Sequence, residues 1–408
     1  MQQGVEGNRT PEARGTPLEV FVAFLMLGLT SFGGPIAHLG YFRTEFVERR
    51  KWLDDRSYAD LVALCQFLPG PASSQVGFAI GLSRAGPLGA LAAWTAFTLP
   101  SAILLVAFAY GAAAFAGPVG SGIVTGLKIV AVAIVAQAVW GMAQALCPDR
   151  ERAGIALGAV ILAVFVAGSL GQVSAIALGG LAGLLLCRPD PGTARPSEAQ
   201  PLHIPVSRSA GIGLLAAFAL LLLALPLLAG TAQPIAIFDA FYRAGALVFG
   251  GGHVVLPLLE AEVVQGGRVA ADQFLAGYGA AQAVPGPLFT FAAYLGAILD
   301  PGPNGIAGAA ISLVAIFLPG LLLLVGIMPF WDQLRTRPAI QAVMRGANAA
   351  VVGILGAALY DPVFTSAIID GPSFALALVC FILLVRFRAP PWAIVIAGAI
   401  GGVALSLL

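Results

Sequence analysis

Charged residues are scarce in this chain. Asp, Glu, Lys and Arg make up only 10% of its 408 residues, whereas hydrophobic residues make up 59% and the mean hydropathy is +0.93. A soluble domain carries about 25% charged residues, so the composition argues against a water-soluble enzyme. The net charge of +1 and the lack of a basic face argue against nucleic-acid binding. The composition predicts a polytopic α-helical membrane protein in contact with the lipid bilayer.

Histidine and cysteine are few and scattered. The chain has 3 His and 4 Cys, with neither an HExxH motif nor a CxxC pair, so it predicts no metal site and no disulfide framework. A Walker A sequence is absent as well, and no GxGxxG opens a strand–helix unit. We therefore expect no cofactor and no enzymatic activity.

Glycine and proline, by contrast, are abundant and lie inside apolar runs. The 51 Gly and 28 Pro are typical of packed membrane helices with breaks. Two stretches are polar instead. Residues 1–16 are predicted to be a disordered N-terminus without a removable signal peptide. Residues 188–208 are predicted to be a cytoplasmic linker, because their Pro and charged residues cannot lie in lipid.

Four motifs recur in the same order on either side of this linker. The first FGG motif (residues 32–34) is matched by a second (249–251) at an offset of 217, and the first PGP motif (69–71) by a second (285–287) at 216. Two further matches are Leu99-Pro100 at an offset of 219 and the stretch from Gly126 at 220. Internal duplication of this kind is typical of secondary transporters.

The duplication predicts two transmembrane repeats, and the charges predict their orientation. The first repeat spans residues 17–187, and residues 209–408 hold a connecting span and the second repeat. The segment 43–56 carries five basic residues, whereas its counterpart 258–272 carries only Arg268. Farther along, the asymmetry reverses: 118–126 is uncharged, and its counterpart holds Arg335, Arg337 and Arg345. The positive-inside rule places equivalent segments on opposite sides, so we expect inverted repeats.

The apolar windows predict the spans. Full-length spans are expected at 87–115, 118–146, 209–230, 304–328, 339–360 and 389–408. Residues 153–187 suit two short spans that turn near 168–172, and 372–387 a short one. If the FGG and PGP segments are re-entrant hairpins, about nine full crossings and four hairpins result. A model with full crossings at these segments is the alternative.

Each PGP motif predicts a broken helix and a substrate site. Two prolines around a glycine cannot continue a helix, and Pro71 and Pro287 favour the start of a new one. The free N–H groups of a helix N-terminus form an anion site. The alternative is a kink needed only for packing. The residues expected to bind substrate are Ser73, Ser74, Gln75, Gln66, Thr290, Gln282, Gly70 and Gly286.

Ionisable residues near the FGG motifs are further candidates. His38 and His253 follow the two motifs closely, and a buried imidazole can bind an oxyanion or carry a proton. They do not align with each other, which argues against a symmetric role. Lys128 is the one charge in 118–146 and either contacts the anion or reaches the membrane surface.

A basic loop follows the first FGG motif. It contains Arg43, Arg49, Arg50 and Lys51, with Trp52 beside them. Such a segment either anchors the topology at the headgroup level or gathers a cytoplasmic anion.

These motifs resemble the chromate ion transporter (CHR) family in its long, two-domain form. The similarity covers roughly residues 17–190 and 235–408. The matching residues in the first half are Phe32, Gly33, Gly34, Pro35, His38, Arg49, Arg50, Trp52, Pro69, Gly70 and Pro71. Those in the second half are Phe249, Gly250, Gly251, His253, Pro285, Gly286 and Pro287.

The resemblance implies a multi-pass transporter of the bacterial inner membrane. It would export chromate, driven by the proton-motive force or by anion exchange, and confer chromate resistance. Sulfate, also a tetrahedral oxyanion, would compete. The alternatives are a sulfate- or molybdate-type carrier and a passive anion channel. A homodimer is left open.

Overall fold

The computed structural model of the protein describes residues 15–112, 117–166, 168–187, 206–249 and 251–407. Most of the N-terminal segment 1–16, most of the linker 188–208, and Gly250 lie outside the described residues. Every regular element within the described ranges is helical. The predicted all-α class is therefore confirmed.

Eighteen α-helices run through the described residues, with short π-helical and 3₁₀ segments between some of them. The α-helices are α1 (Pro17–Thr30), α2 (Gly34–Arg43), α3 (Asp55–Phe67), α4 (Ala72–Ala112), α5 (Pro118–Leu146), α6 (Arg150–Phe165), α7 (Gly168–Leu186), α8 (Arg208–Leu228), α9 (Gln233–Ala246), α10 (Val255–Leu259), α11 (Ala271–Ala281), α12 (Phe291–Ile298), α13 (Gly305–Ile327), α14 (Trp331–Leu334), α15 (Pro338–Ala358), α16 (Thr365–Ala367), α17 (Gly371–Val385) and α18 (Pro391–Ser406). The π-helical segments are Thr44–Arg49, Glu260–Val264 and Leu359–Phe364, and the 3₁₀ turns are Gly252–Val254, Leu288–Thr290 and Met328–Phe330.

Six helical segments are long and apolar enough to cross a membrane. They contain α4, α5, α7, α8, α13 and α15. The connecting span α8 is the least covered of them, since only 11% of its most apolar window is buried in the protein. An apolar surface of this kind suits contact with lipid. The predicted polytopic membrane class agrees with these helices.

The short spans differ somewhat from the predicted windows. The turn expected near 168–172 lies between α6 and α7, where Gly168 has a φ of +76°. The last span, expected at 389–408, is the 16-residue helix α18, because Pro390 and Pro391 delay its start. The number of full crossings and the hairpins at the motifs stay predictions.

The same order of elements follows both FGG motifs. A short helix, α2 or α10, leads into a π-helical segment, and a further helix, α3 or α11, ends before the PGP motif. After the PGP motif, α4 corresponds to α12 and α13, and α5 corresponds to α15. The four sequence matches are thus accompanied by a matching order of secondary structure.

The equivalent helices α5 and α15 each pack against the last helices of the other half. α5 contacts α17 and α18, whereas α15 contacts α6 and α7. A Cβ atom added at Gly126 would overlap the carbonyl oxygen of Gly398, and one added at Gly346 would overlap that of Gly179. These two pairs are equivalent, since Gly126 and Gly346 are 220 residues apart and Gly179 and Gly398 are 219 apart. Small residues therefore permit the close contact that interlocks the halves.

We expect Gly126→Ala and Gly346→Ala to destabilise the protein. Each added methyl group meets a backbone carbonyl that cannot move aside freely, and such overpacking costs about 1–3 kcal/mol. Gly141→Ala, in the same helix α5, is the matched control because nothing lies within 4 Å of its added Cβ. Thermal unfolding of the detergent-purified variants measures the effect. Equal midpoints for Gly126→Ala and Gly141→Ala would contradict the expectation.

Candidate functional site

Both PGP motifs interrupt the helical chain, as predicted. The first lies between the end of α3 and the start of α4, and the second between α11 and the 3₁₀ turn Leu288–Thr290. Their glycines have positive φ angles, +120° at Gly70 and +102° at Gly286. L-residues with a side chain rarely adopt such angles, which explains why glycine stands at the centre of each break.

Each PGP glycine forms a hydrogen bond to the other half of the chain. The N–H of Gly70 donates to the carbonyl of Val248 at 2.8 Å, and the N–H of Gly286 donates to the carbonyl of Ser31 at 2.9 Å. Ser31 and Val248 are equivalent, because each directly precedes its FGG motif at the 217-residue offset. The two bonds are therefore reciprocal, and they join each PGP motif to the FGG motif of the opposite repeat.

The two FGG motifs lie close to each other. Gly33, with a φ of +99°, is the N-cap of α2, and Gly34 has a φ of +79°. A Cβ atom added at Gly252, directly after the second motif, would lie 3.4 Å from Cγ of Pro35. All four motifs thus meet in one region at the boundary between the halves.

His38 and His253 both lie close to this region, but they form different hydrogen bonds. The Nδ1 atom of His38 is 3.3 Å from Oγ of Ser73, and its Nε2 atom is 3.2 Å from the carbonyl oxygen of Ser31. His38 is 1% exposed and thus lies between the first PGP motif and the residue bonded to Gly286. His253 places Nδ1 2.8 Å from Oη of Tyr278 instead. The two histidines therefore have different environments.

The polar residues after the first PGP motif are buried. Ser73, Ser74 and Gln75 are at most 3% exposed, and Oγ of Ser74 has no hydrogen-bond partner. Nε2 of Gln75 donates to the carbonyls of Pro69 at 3.1 Å and Gly320 at 2.8 Å. Gln75 therefore braces the break, while Ser74 keeps an unused hydroxyl group.

The second PGP motif differs from the expected arrangement. An anion site at this tip requires free N–H groups, but the N–H of Thr290 donates to the carbonyl of Pro287 at 3.0 Å, and the Thr290 hydroxyl donates to the same carbonyl at 2.7 Å. The reason is that a tighter 3₁₀ turn, rather than an α-helix, follows Pro287. Gln282 is half-buried, and its Nε2 atom is buried without a partner.

The expected basic loop is largely helical, because α2 continues into the π-helical segment Thr44–Arg49. Most of its charges are paired: Arg43 with Glu48 and Asp55, and Arg49 and Arg50 with Glu45. The hydrogen bond that Arg43 donates to the carboxylate of Asp55 raises the pKa of Arg43 above its usual value. Lys51 is exposed. This local pairing leaves little free positive charge to gather an anion.

Lys128 has a partner from the second half. Its Nζ atom lies 2.6 Å from Oδ1 of Asp272, so this ion pair joins α5 to α11. The Lys128 side chain is only 14% exposed, whereas that of Asp272 is 69% exposed. Lys128 therefore reaches a carboxylate at the edge of the protein.

A cavity of about 730 Å³, not foreseen from the sequence, lies between α3 and α15. We call it the α3–α15 cavity. Its polar lining residues are Arg56, Asp60, Gln66, Arg335, Gln341, Arg345 and Asn348. Asp54 caps α3, and the hydrogen bond from the backbone N–H of Ser57 lowers the pKa of Asp54. Asp60, an ionisable residue in a helix that is otherwise largely apolar here, is the sequence signal for this cavity, but its arginine partner, Arg335, comes from far along the chain.

Metal chemistry has no basis in the described part of the chain. No group of three or more His, Cys, Asp or Glu side chains is close enough to hold a metal ion in those ranges. Cys65, Cys147, Cys187 and Cys380 are all free thiols, and three of them are buried.

The helices and the meeting of four helix breaks define a multi-pass membrane protein of transporter type. The sequence model of the chromate transporter family matches the chain twice, over residues 18–184 and 235–403. The chain therefore belongs to the chromate transporter family, which makes it a transporter rather than an enzyme.

Two relatives are similar over nearly their whole length. The chromate transport protein of Cupriavidus metallidurans is 30% identical over 398 residues, covering 96% of this chain and 94% of the relative. The chromate transport protein of Pseudomonas aeruginosa is 28% identical over 360 residues, covering 86% and 83%. No solved structure matches the chain significantly.

We expect Gly70→Ala and Gly286→Ala to strain the junction of the motifs. A methyl group at Gly70 would lie 3.0 Å from Cα of Gly320, and one at Gly286 would lie 2.8 Å from Oγ of Ser101. The positive φ angles add backbone strain, so each change should cost about 1–3 kcal/mol. Thermal unfolding in detergent measures this, with Gly40→Ala as control because its added Cβ meets nothing within 4 Å. Unchanged midpoints for both motif variants would contradict the expectation.

Proposed function

We propose that the protein is a secondary transporter that exports chromate across the bacterial inner membrane and confers chromate resistance. The observation that carries the proposal is the meeting of four helix breaks at the boundary of two repeats, in a chain similar to chromate transport proteins over nearly its full length. In secondary transporters, broken helices at the repeat interface hold the substrate. Coupling to the proton-motive force or to anion exchange completes the proposal.

The repeats are inverted in this proposal. Reciprocal contacts, in which Gly70 bonds to Val248 and Gly286 to Ser31, are what a two-fold relation between the halves produces. Such an axis lies either in the membrane plane or along its normal. The basic residues of 43–56 and their near absence from 258–272 favour the axis in the plane, which inverts the second repeat.

The proposed substrate locus lies at the breaks. The N-terminus of α4, directly after Pro71, offers free N–H groups and about half a positive charge. The unused hydroxyl of Ser74 and the Ser73–His38 pair lie beside it. We propose Gln66, Gln282 and Gln75 as supports of the tips, with Thr290 in the weaker second tip.

Alternating access is supported by a difference between equivalent positions. Arg56 and Asn348 line the α3–α15 cavity, and their equivalents at offsets of 216 and 220 are Asp272 and Lys128. Those equivalents form an ion pair, and α5 packs against α11. The protein is thus open between α3 and α15, whereas the equivalent helices α11 and α5 are in contact. An opening at one end only favours a carrier over a passive channel.

Chromate transport is the direct test. We expect inside-out membrane vesicles that contain the protein to accumulate chromate faster than vesicles without it, and excess sulfate to slow the uptake because both ions are tetrahedral dianions. Dissipating the pH gradient should lower uptake if protons drive it. Equal uptake with and without the protein would remove the proposal. Faster sulfate uptake without chromate uptake would favour the sulfate-type alternative.

The inverted topology predicts opposite accessibility for Arg49 and Arg268. We expect single cysteines at these positions, in a background without native cysteines, to react with an impermeant thiol reagent from opposite sides of the membrane. Arg49→Cys should label from the cytoplasmic side. Labelling of both positions from the same side would show that the repeats are parallel.

A further inference from the structure

The α3–α15 cavity carries an excess of positive charge. Its lining contains three arginines, Arg56, Arg335 and Arg345, but only one carboxylate, that of Asp60. The ionisable side chains of the lining therefore have a net charge of +2, which equals in size the −2 charge of a tetrahedral dianion. The cavity is also formed by both halves, since α3 belongs to the first repeat and α14 and α15 belong to the second.

The three arginines differ in their partners. Arg335 is fully engaged, with Nη1 2.6 Å from Asp60 and Nη2 2.8 Å from Asp332. Arg345 donates one long hydrogen bond, 3.5 Å, to the carbonyl of Cys187. Neither Arg345 nor Arg56 forms an ion pair with a carboxylate of the described ranges. Two guanidinium groups in the cavity lining therefore have no carboxylate of the described ranges within ion-pair distance and keep N–H donors for an anion.

Neutral polar groups complete the lining. Oδ1 of Asn348 is buried without a hydrogen-bond partner, so the amide is not committed to another contact and can turn its NH₂ group to a ligand. Gln66 is exposed at the cavity and lies three residues before Pro69. The helix α3, which lines the cavity, thus leads directly into the first PGP motif, where the proposed substrate locus begins.

We propose that the α3–α15 cavity is an oxyanion-binding site, separate from the PGP tips, in which Arg56 and Arg345 hold a tetrahedral dianion. This inference rests on the proposed function for the class of substrate. The planar fork of an arginine matches two oxygens of such an ion through charge-assisted hydrogen bonds.

Asp60 opposes this binding. Its side chain is 9% exposed, keeps Arg335 occupied and places a negative charge in the cavity wall. The Asp60–Arg335 pair therefore lowers the affinity of the site, which favours release of the ion towards the PGP motifs. Removing the charge of Asp60 releases Nη1 of Arg335 for the ion, while Nη2 stays paired with Asp332.

Binding of radiolabelled sulfate to the detergent-purified protein, without a gradient, tests the site. We expect Arg345→Gln and Arg56→Gln each to raise the Kd about tenfold, the effect of losing a hydrogen bond to a charged group. Asp60→Asn should lower the Kd severalfold. Arg337→Gln is the matched control, because Arg337 is exposed next to the same elements and does not line the cavity. Arg345→Lys keeps the charge without the fork and should bind with intermediate affinity.

Wild-type Kd values for both cavity-arginine variants would overturn the inference, and so would the absence of sulfate binding to the wild-type protein. If an arginine variant has a lowered thermal midpoint, its Kd is not used. The test then depends on Asp60→Asn, which is expected to increase the affinity for sulfate. An unchanged or weaker affinity in Asp60→Asn contradicts the role given to Asp60. If sulfate binding depends on Arg345 but the protein transports no chromate, the proposed function is overturned and the oxyanion site is not.

Discussion

A backbone N–H or C=O group that lacks a partner inside a membrane costs several kcal/mol, and the two PGP motifs create such groups. The structure satisfies them across the boundary of the repeats. Gly70 bonds to Val248 and Gly286 to Ser31, while Gln75 links the carbonyls of Pro69 and Gly320. Because the glycine N–H of each break is bonded by the opposite half, the halves depend on each other, and α5 and α15 likewise each pack against helices of the opposite half.

The two ends of the molecule differ because equivalent positions carry different charges. Arg56 and Asn348 cannot form an ion pair, and the helices that carry them are separated by a cavity. Their equivalents Asp272 and Lys128 attract each other and hold α11 against α5. Equivalent positions of a duplicated chain thus line a cavity in one place and form an ion pair in the other. For the proposed carrier, this difference gives the two access states unequal stability.

Positive charge close to the first FGG motif has a local function. Arg49 and Arg50 are held by Glu45, and Arg50 also lies over the ring of Trp52 at 5.4 Å from its centroid. These contacts hold the basic side chains of the segment against Glu45 and Trp52. Free positive charge is found instead in the α3–α15 cavity, at Arg56 and Arg345. A high number of basic residues in one segment of the chain therefore does not predict where an anion can bind.

The helical class, the duplication and the positions of the helix breaks all follow from the amino-acid sequence alone. Apolar length, the recurrence of FGG and PGP, and the inability of proline to continue a helix are local properties, and they survive folding. The packing of the helices was needed to learn which groups satisfy those breaks. It was also needed to pair Lys128 with Asp272, and Asp60 with Arg335 across 275 residues. The tertiary structure also placed a 3₁₀ turn after Pro287, so the two tips are unequal. The reason is that ion pairs and cavities depend on distances between helices, and no local pattern encodes those distances.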